Sequence, residues 1–182
     1  MTCLRLLALT IAFICASSAA TADDFSRRCP AGSYLTGFEG TAGAWIDTIR
    51  ILCAHWDAKR EKFDESIKIR EMAGRSNGGN WTQAYCPDQW VVAGNYQPNF
   101  VWGDDEDVPV LHSIEFNCRP LDDNRFEPRT FGSTSSEAER FEYEPSIPPT
   151  CDEAFQGLFA TGIFGTRRRF VEGLGFKCDA AP

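Results

Sequence analysis

Six cysteines have the most regular spacing of any reactive residues in this chain. They are Cys29, Cys53, Cys86, Cys118, Cys151 and Cys178. Disulfide formation and zinc ligation are the two chemistries that could use such a set. No C-x-x-C pair occurs and the chain has only two histidines, whereas zinc sites commonly combine closely spaced cysteines with imidazoles. The set therefore predicts disulfides, which form in compartments outside the cytoplasm.

Sequence motifs of catalysis are absent. The chain contains no G-x-S-x-G and no H-E-x-x-H, and oxidised cysteines could not act as thiolate nucleophiles. Its 26 acidic residues include no spacing that singles out an acid–base pair, although a glycosidase needs only two carboxylates. The sequence predicts a non-catalytic binding protein without a cofactor, with a hidden hydrolase as the alternative.

The overall charge narrows the choice of partners. The 182 residues include 18 basic and 26 acidic side chains, which give a net charge of −8. Nucleic acids and anionic membrane surfaces attract basic faces. The composition therefore argues against both of these partners, and it leaves the oligomeric state open.

Residues 1–22 have the three parts of a secretory signal peptide. Arg5 provides a positive start, residues 6–14 form an apolar run, and the segment ends in the small-residue motif Ala20-Thr21-Ala22. The run is shorter than the about 20 residues that span a bilayer. We therefore predict cleavage after residue 22 and a secreted or periplasmic chain without membrane insertion. Removal of this leader would leave a net charge of −9 and six of the eight cysteines.

Three nine-residue segments, each ending in a cysteine, align without a gap. They are Trp45–Cys53, Val110–Cys118 and Phe170–Cys178. Apolar residues alternate with other residues along each segment, which is typical of a strand with one buried face. In the alignment, the columns two and four positions before the cysteine are apolar in all three segments and share its face. They predict a core formed by Ile49, Ile51, Ile114, Phe116, Leu174 and Phe176.

The segments that open the repeats also match. Residues 29–37 and 86–94 both begin Cys-Pro and end in glycine, whereas the third copy keeps only Cys151 and a later glycine-aromatic run. Recurrence of one unit near every 60 residues indicates units that stack around a shared core. We predict one domain over residues 23–182. Its repeat cores are residues 29–53, 86–118 and 151–178.

Each repeat is expected to form its own disulfide, because the first and last strands of one sheet lie close together. This selects one of the 15 possible pairings of six cysteines. The predicted bridges are Cys29–Cys53, Cys86–Cys118 and Cys151–Cys178.

The linkers 54–85 and 119–150 predict additional strands and long surface loops. Residues 59–72 lack glycine and proline, so a short helix and a strand ending at Met72 are equally compatible with this stretch.

The repeated pattern C-P-x-G-x-x-[LV]-x-G…I-x-[LIF]-x-C resembles the vitelline membrane outer layer protein family and, more loosely, the jacalin-type lectins. The resemblance implies an all-β fold, the β-prism, in which three four-stranded sheets surround a pseudo-three-fold axis. Two linkers for three cores suggest that one sheet has fewer strands. The alternative three-fold fold is the β-trefoil, but no Q-x-W pattern occurs.

The resemblance also indicates candidate ligand-binding residues. In mannose-binding jacalin-type lectins a G-x-x-x-D loop presents an aspartate and backbone amides to sugar hydroxyls. This sequence has Gly43 to Asp47 and Gly103 to Asp107 at that spacing, and a carboxylate accepts strong hydrogen bonds from hydroxyls. The alternatives are a turn glycine and a solvated acidic loop, and a calcium site at residues 104–107 is a further alternative.

Two tryptophans extend the candidate set. Trp81 and Trp102 lie in loop-like surroundings and are expected to be exposed, whereas Trp45 shares a core column with Val110 and Phe170. The leading functional prediction is a carbohydrate-binding protein whose partner is a glycan or another cell-surface component. The alternative is a structural component of an extracellular or envelope layer.

One column in the alignment of the three nine-residue segments is polar in every copy. Asp47, His112 and Glu172 each precede a cysteine by six residues, with the parity of the buried face. If the strands begin after this column, the three residues line a wet end of the prism. If they converge, two carboxylates and an imidazole form a buried cluster or a transition-metal site. The first interpretation is the favoured one.

Overall fold

The computed structural model describes residues 23–74, 78–103, 108–123, 125–133, 140–141, 151 and 157–180, and the regular structure in these ranges is entirely β. The strands are β1 (Asp23–Arg28), β2 (Ser33–Ala42), β3 (Ile46–Asp57), β4 (Lys62–Phe63), β5 (Ile67–Lys68), β6 (Asn80–Tyr85), β7 (Val91–Trp102), β8 (Pro109–Arg119), β9 (Glu127–Gly132), β10 (Arg140–Phe141), β11 (Leu158–Arg167) and β12 (Val171–Ala180). No helix that could span a bilayer occurs in these described ranges.

Three long antiparallel hairpins, one from each repeat, form the centres of three sheets. They are β2–β3, β7–β8 and β11–β12. Their second strands contain the three aligned nine-residue segments except for Trp45 and Phe170, which immediately precede β3 and β12. The alternating apolar residues of these segments give each strand one face to bury. A single residue pair between β11 and β7, Phe159 with Ala93, joins the third sheet to the second.

The strand that precedes each repeat pairs with the sheet of another repeat. β6 precedes Cys86 and pairs with β2 of the first sheet, and β10 precedes Cys151 and pairs with β7 of the second. β1 precedes Cys29 and closes the cycle by pairing with β11 over six residue pairs, from Asp23 to Arg28. The third sheet therefore obtains a strand from the opposite end of the chain.

The sheets differ on their other side, where only the first two repeats add strands after their own hairpins within the described residues. β4 and β5 pair with β3, and β9 pairs with β8. Within the described residues β12 has no strand on this side, so the third sheet consists of β1, β11 and β12. This agrees with the expectation that one sheet has fewer strands.

The core lies between the inward faces of the three sheets. All six residues that the columns predicted as core are at most 6% exposed, which confirms the strand register. Phe38 of β2 is fully buried among rings from the other two sheets, with centroid distances of 5.0 Å to Phe116 and 6.1 Å to Phe176. Edge-on and offset ring contacts of this kind add to the gain from burial.

Residues 59–72 are not helical: they begin in a turn and contain two short strands, the second of which ends at Lys68 and not at Met72. β4 and β5 lie here, and Ala73 pairs with Ile49 of β3 just beyond. Phe63 is buried against Trp56, with ring centroids 5.0 Å apart, whereas Ile67 is 52% exposed. A helix would place these two apolar residues, four apart, on one face, so the helical alternative is wrong.

Each repeat closes its own disulfide, and the predicted pairing is confirmed. The bridges are Cys29–Cys53, Cys86–Cys118 and Cys151–Cys178. The Cα–Cα distances are 5.7, 5.5 and 5.9 Å, within the range that a disulfide requires. Cys29 lies just before β2, and Cys53 lies in the part of β3 opposite Leu35. The bridges therefore mark one end of the hairpins, which we call the cysteine end.

A buried ion pair lies on the outward face of the first sheet. Glu39 of β2 is fully buried and forms ion pairs with Arg50 and with Lys68, the latter at 2.9 Å. The hydroxyl of Tyr85 donates to Glu39 Oε2 at 3.1 Å. Burial alone would raise the pKa of Glu39, but the hydrogen bonds from Lys68 and Tyr85 and the charge of Arg50 hold this pKa below its ordinary value.

This lowered pKa predicts that Glu39 contributes to stability only while it is ionised. The contribution is complete above the ordinary glutamate pKa of the unfolded chain and is lost as the pH falls through the lower folded value. The difference in unfolding free energy between the protein and its Glu39→Gln variant should therefore shrink as the pH falls from about 5 to below the ordinary glutamate pKa of about 4.3. Urea unfolding across this range measures it. Glu115→Gln, an exposed change on β8, is the control, and an equal pH dependence in both variants would contradict the prediction.

Candidate functional site

The hairpins turn at the end opposite the disulfides, which we call the hairpin end. The first and third hairpins close in the same way: Gly43 N donates to Trp45 O at 2.9 Å, and Arg168 N donates to Phe170 O at 3.2 Å. The ring centroids of Trp45 and Phe170 lie 4.6 Å apart. Phe170 also packs with two valines of the second hairpin. This small apolar cluster joins all three sheets: Val110 and Phe170 are buried, as predicted for this column, and Trp45 packs against them half-buried.

Asp47 lies one residue inside β3 and is only 3% exposed. Its Oδ2 accepts no hydrogen bond from the described residues. Two backbone segments approach this oxygen closely: a Cβ atom added to Gly79 would lie 2.4 Å from it, and one added to Gly43 would lie 4.0 Å from it. Gly79 also has a φ of +72°, so glycine suits this position for two reasons. Asp47 Oδ2 is thus a buried acceptor that lies between two glycines and has no donor in the part of the chain that the structure describes.

Gly79 was not among the predicted site residues. It follows the Asn77-Gly78 pair, which the sequence indicates only as a break before β6. The pairing of Ala42 with Asn80 brings this break to the turn of the first hairpin. Two consecutive glycines immediately before a strand are the signal that could have suggested a close backbone approach.

The two candidate tryptophans are exposed, as predicted, and lie at this same end. Trp81 is 53% exposed on β6, opposite Thr41, and the Arg50 guanidinium lies 5.5 Å from its ring centroid. Trp102 is 47% exposed at the last position of β7. Gly103 follows it and donates its N–H to Val108 O at 3.0 Å.

The structure therefore divides the candidates between two hairpins. Gly43, Asp47 and Trp81 belong to the first sheet, whereas Trp102 and Gly103 belong to the second. Asp107, with the rest of the acidic run 104–107 and its minor calcium alternative, lies outside the described residues.

The polar column at the sixth position before each cysteine is neither a wet end nor a convergent site. Asp47 and His112 are 3% and 0% exposed, because β3 and β8 begin before them, so the wet-end interpretation is wrong. His112 Nδ1 lies 2.5 Å from Ala44 O, and its Nε2 has no partner among the described residues. Glu172 instead forms an ion pair with Arg168 at 3.7 Å. Burial raises the pKa of Glu172, and the Arg168 charge opposes this rise.

The metal alternative for this column has no support in the described part of the chain. No three His, Cys, Asp or Glu side chains there come close enough together to hold an ion. The physical reason is that His112 is directed to a backbone carbonyl and Glu172 to an arginine.

Three sheets, each built on the hairpin of one repeat and packed around one core, define the β-prism fold, which confirms the predicted fold class. The β-trefoil alternative is not adopted. The chain is similar in structure to a prostate-specific WGA16 glycoprotein lectin, with a TM-score of 0.50 and 13% identity over 88% of this chain and 93% of that one. It is also similar to wild-type Malaysian banana lectin, with a TM-score of 0.48 and 14% identity over 86% and 89% of the two chains.

Sequence comparison adds no relative. No protein-family model matches the chain, and no curated protein matches it. The resemblance to the vitelline membrane outer layer proteins, the signal peptide and the domain boundaries therefore stay predictions.

Proposed function

We propose that this protein is a non-catalytic, exported carbohydrate-binding protein whose primary site lies at the hairpin end of the first sheet. The observation that carries the proposal is the Asp47 carboxylate. It is buried at the end of the prism, lies between Gly43 and Gly79, and has an oxygen that accepts no hydrogen bond from the described residues. A buried acceptor without a donor costs about 1–3 kcal/mol, and a ligand hydroxyl that reaches it would recover this free energy.

The surroundings of Asp47 support a sugar as the ligand. Oδ2 is covered by the Gly79 backbone, and because neither glycine carries a side chain, only a local shift of this backbone would open the carboxylate to a sugar hydroxyl. Trp81 supplies an exposed ring at the same end of the sheet, on which the apolar face of a sugar could stack. The β-prism lectins to which the chain is similar are consistent with this ligand class. The partner would then be a glycan on a cell surface or on a secreted glycoprotein.

Asp47→Asn is the variant that tests the site. The change keeps the shape of the side chain but replaces the charged acceptor, and hydrogen bonds to charged groups are worth about 1.5–3 kcal/mol. We therefore expect affinity for the best ligand on a glycan array to fall by at least about tenfold. Asp122→Asn, an exposed change elsewhere on the surface, should leave the affinity unchanged.

Two results would contradict the proposal. Absence of binding to any glycan by the folded, oxidised protein would argue against carbohydrate recognition altogether. Full affinity in a correctly folded Asp47→Asn variant would instead place the site elsewhere. Competition by the free sugar distinguishes specific binding from adhesion to the array surface.

A further inference from the structure

A cleft of about 390 Å³ lies at the cysteine end, far from Asp47. One wall is the segment from Phe63 to Lys68, and the other is the opening of the second repeat, from Tyr85 to Trp90. Thr36, Leu52 and Ala54 complete its lining. Its volume falls within the range of small-molecule sites, about 300–1,000 Å³.

The two walls are held together by the side chain of Gln89. Its Oε1 accepts a hydrogen bond from Phe63 N at 2.7 Å, and its Nε2 donates to Phe63 O at 3.2 Å. Gln89 has a φ of +64°, a left-handed conformation that costs a non-glycine residue about 1–2 kcal/mol. A residue in such a conformation, whose side chain forms hydrogen bonds across a cleft, is typical of a ligand-binding site.

The first repeat contains the same turn without these features. Ser33 N donates to Pro30 O at 3.0 Å, as Trp90 N does to Pro87 O, and Gly32 has a φ of +71° at the position that Gln89 occupies in the second repeat. An ion pair between Arg28 and Asp179, at 2.9 Å, lines the corresponding groove. Glycine can therefore form this turn without strain. We attribute the glutamine at position 89 to its hydrogen bonds across the cleft and not to a requirement of the turn.

The cleft contains hydrogen-bond acceptors beside aromatic rings. Asp64 and Glu65 are exposed and form no ion pair with a described residue. Lys68 is engaged with Glu39 at 2.9 Å and does not neutralise them. Tyr85 and Trp90 are half-buried and line the cleft. Acceptors at the rim and ring surface in the wall match a ligand with a hydroxyl edge and an apolar face.

We propose that this cleft is a second binding site, which accepts a single sugar ring with its hydroxyls toward Asp64 and Glu65. The choice of sugar as ligand rests on the proposed function, whereas the site itself is distinct from the one at Asp47. Leu52 in the cleft lining lies five positions beyond Asp47 along β3, which corresponds to roughly 17 Å at 3.3 Å per residue. A protein with sites at both ends of its prism can cross-link two glycans.

The test uses the protein labelled with 5-fluorotryptophan, whose five tryptophans give separate ¹⁹F NMR signals that Trp90→Phe and Trp81→Phe assign. The probes are the methyl glycosides of mannose, glucose, galactose, fucose and N-acetylglucosamine, titrated to millimolar concentrations. We expect at least one glycoside to shift the Trp90 signal and to do so equally in Asp47→Asn. Gln89→Gly is compatible with the backbone, as the turn of the first repeat shows. Because this change removes the hydrogen bonds that hold the two walls together, we expect it to weaken the affinity measured at Trp90 by about tenfold. Asp179→Asn, in the corresponding groove, should leave it unchanged.

The two sites can fail separately, because Trp81 reports on the hairpin end and Trp90 on the cleft. A Trp90 signal that no glycoside shifts would overturn the second site even if Trp81 responds. A Trp90 shift that disappears in Asp47→Asn would show that it is a distant effect of binding at the first site, which also overturns the proposal. An unchanged affinity in folded Gln89→Gly would also overturn the proposal, since the hydrogen bonds between Gln89 and Phe63 would then have no role in binding.

Discussion

Phe38→Ala should lower the free energy of unfolding by about 3–5 kcal/mol, the cost of truncating a fully buried phenylalanine. Phe38 is inaccessible to solvent, and its ring contacts Phe116 and Phe131 of the second sheet and Phe176 of the third, with centroid distances of 5.0, 5.8 and 6.1 Å. The loss is large because the three sheets meet at this ring. A cavity here cannot be filled by the movement of one sheet without disturbing the other two.

Equilibrium urea unfolding of the oxidised protein, followed by tryptophan fluorescence, measures this loss. Ile67→Ala is the control, because Ile67 is 52% exposed on β5, and surface changes of this kind usually alter stability by less than about 0.5 kcal/mol. If Phe38→Ala cost no more than this control, the inward face of β2 would be wrongly assigned.

Replacing both Cys86 and Cys118 by alanine should cost about 3–4 kcal/mol. The bridge joins residues 32 positions apart, and a loop of this length restricts the unfolded chain by about that amount in the chain-entropy model. Cys118 is fully buried, so the two alanines also leave unfilled volume in the core. Replacing both cysteines avoids a free thiol that could form incorrect disulfides.

The first repeat provides a matched comparison. Its bridge, Cys29–Cys53, spans 24 positions, so the entropic part of its contribution should be smaller by only a few tenths of a kcal/mol. The same urea measurement on both double variants tests this. A loss below about 1 kcal/mol for either variant would mean that the unfolded chain keeps enough structure to make the bridge redundant.

Local patterns in the sequence are sufficient to predict the repeated part of the fold. Apolar alternation before Cys53, Cys118 and Cys178 predicts the inward faces of β3, β8 and β12, because side-chain direction in a strand has a period of two. The disulfides follow from the same units, since a hairpin brings its opening and closing cysteines together. The exposure of Trp81 and Trp102 was also predictable from their polar, loop-like neighbours.

The order of strands in each sheet was not predictable in this way. β1 carries no signal that it pairs with β11 and not with β2, because hydrogen bonding between strands is made by the backbone and is almost independent of side chains. The edge of β11 becomes available to β1 only when the three sheets have packed around their common core. The two short strands β4 and β5 were likewise ambiguous, since their apolar residues are too few to define a period.

The amino-acid sequence by itself determined which residues face the core and which cysteines pair, because both depend on patterns within one repeat. The tertiary structure alone decided the surroundings of the polar residues. Burial of Asp47 depends on Gly79, 32 residues away. The walls of the cleft are joined by hydrogen bonds between Gln89 and Phe63, which belong to different repeats. Neither contact has a periodic signature, because each forms only when separate segments of backbone meet in the closed prism.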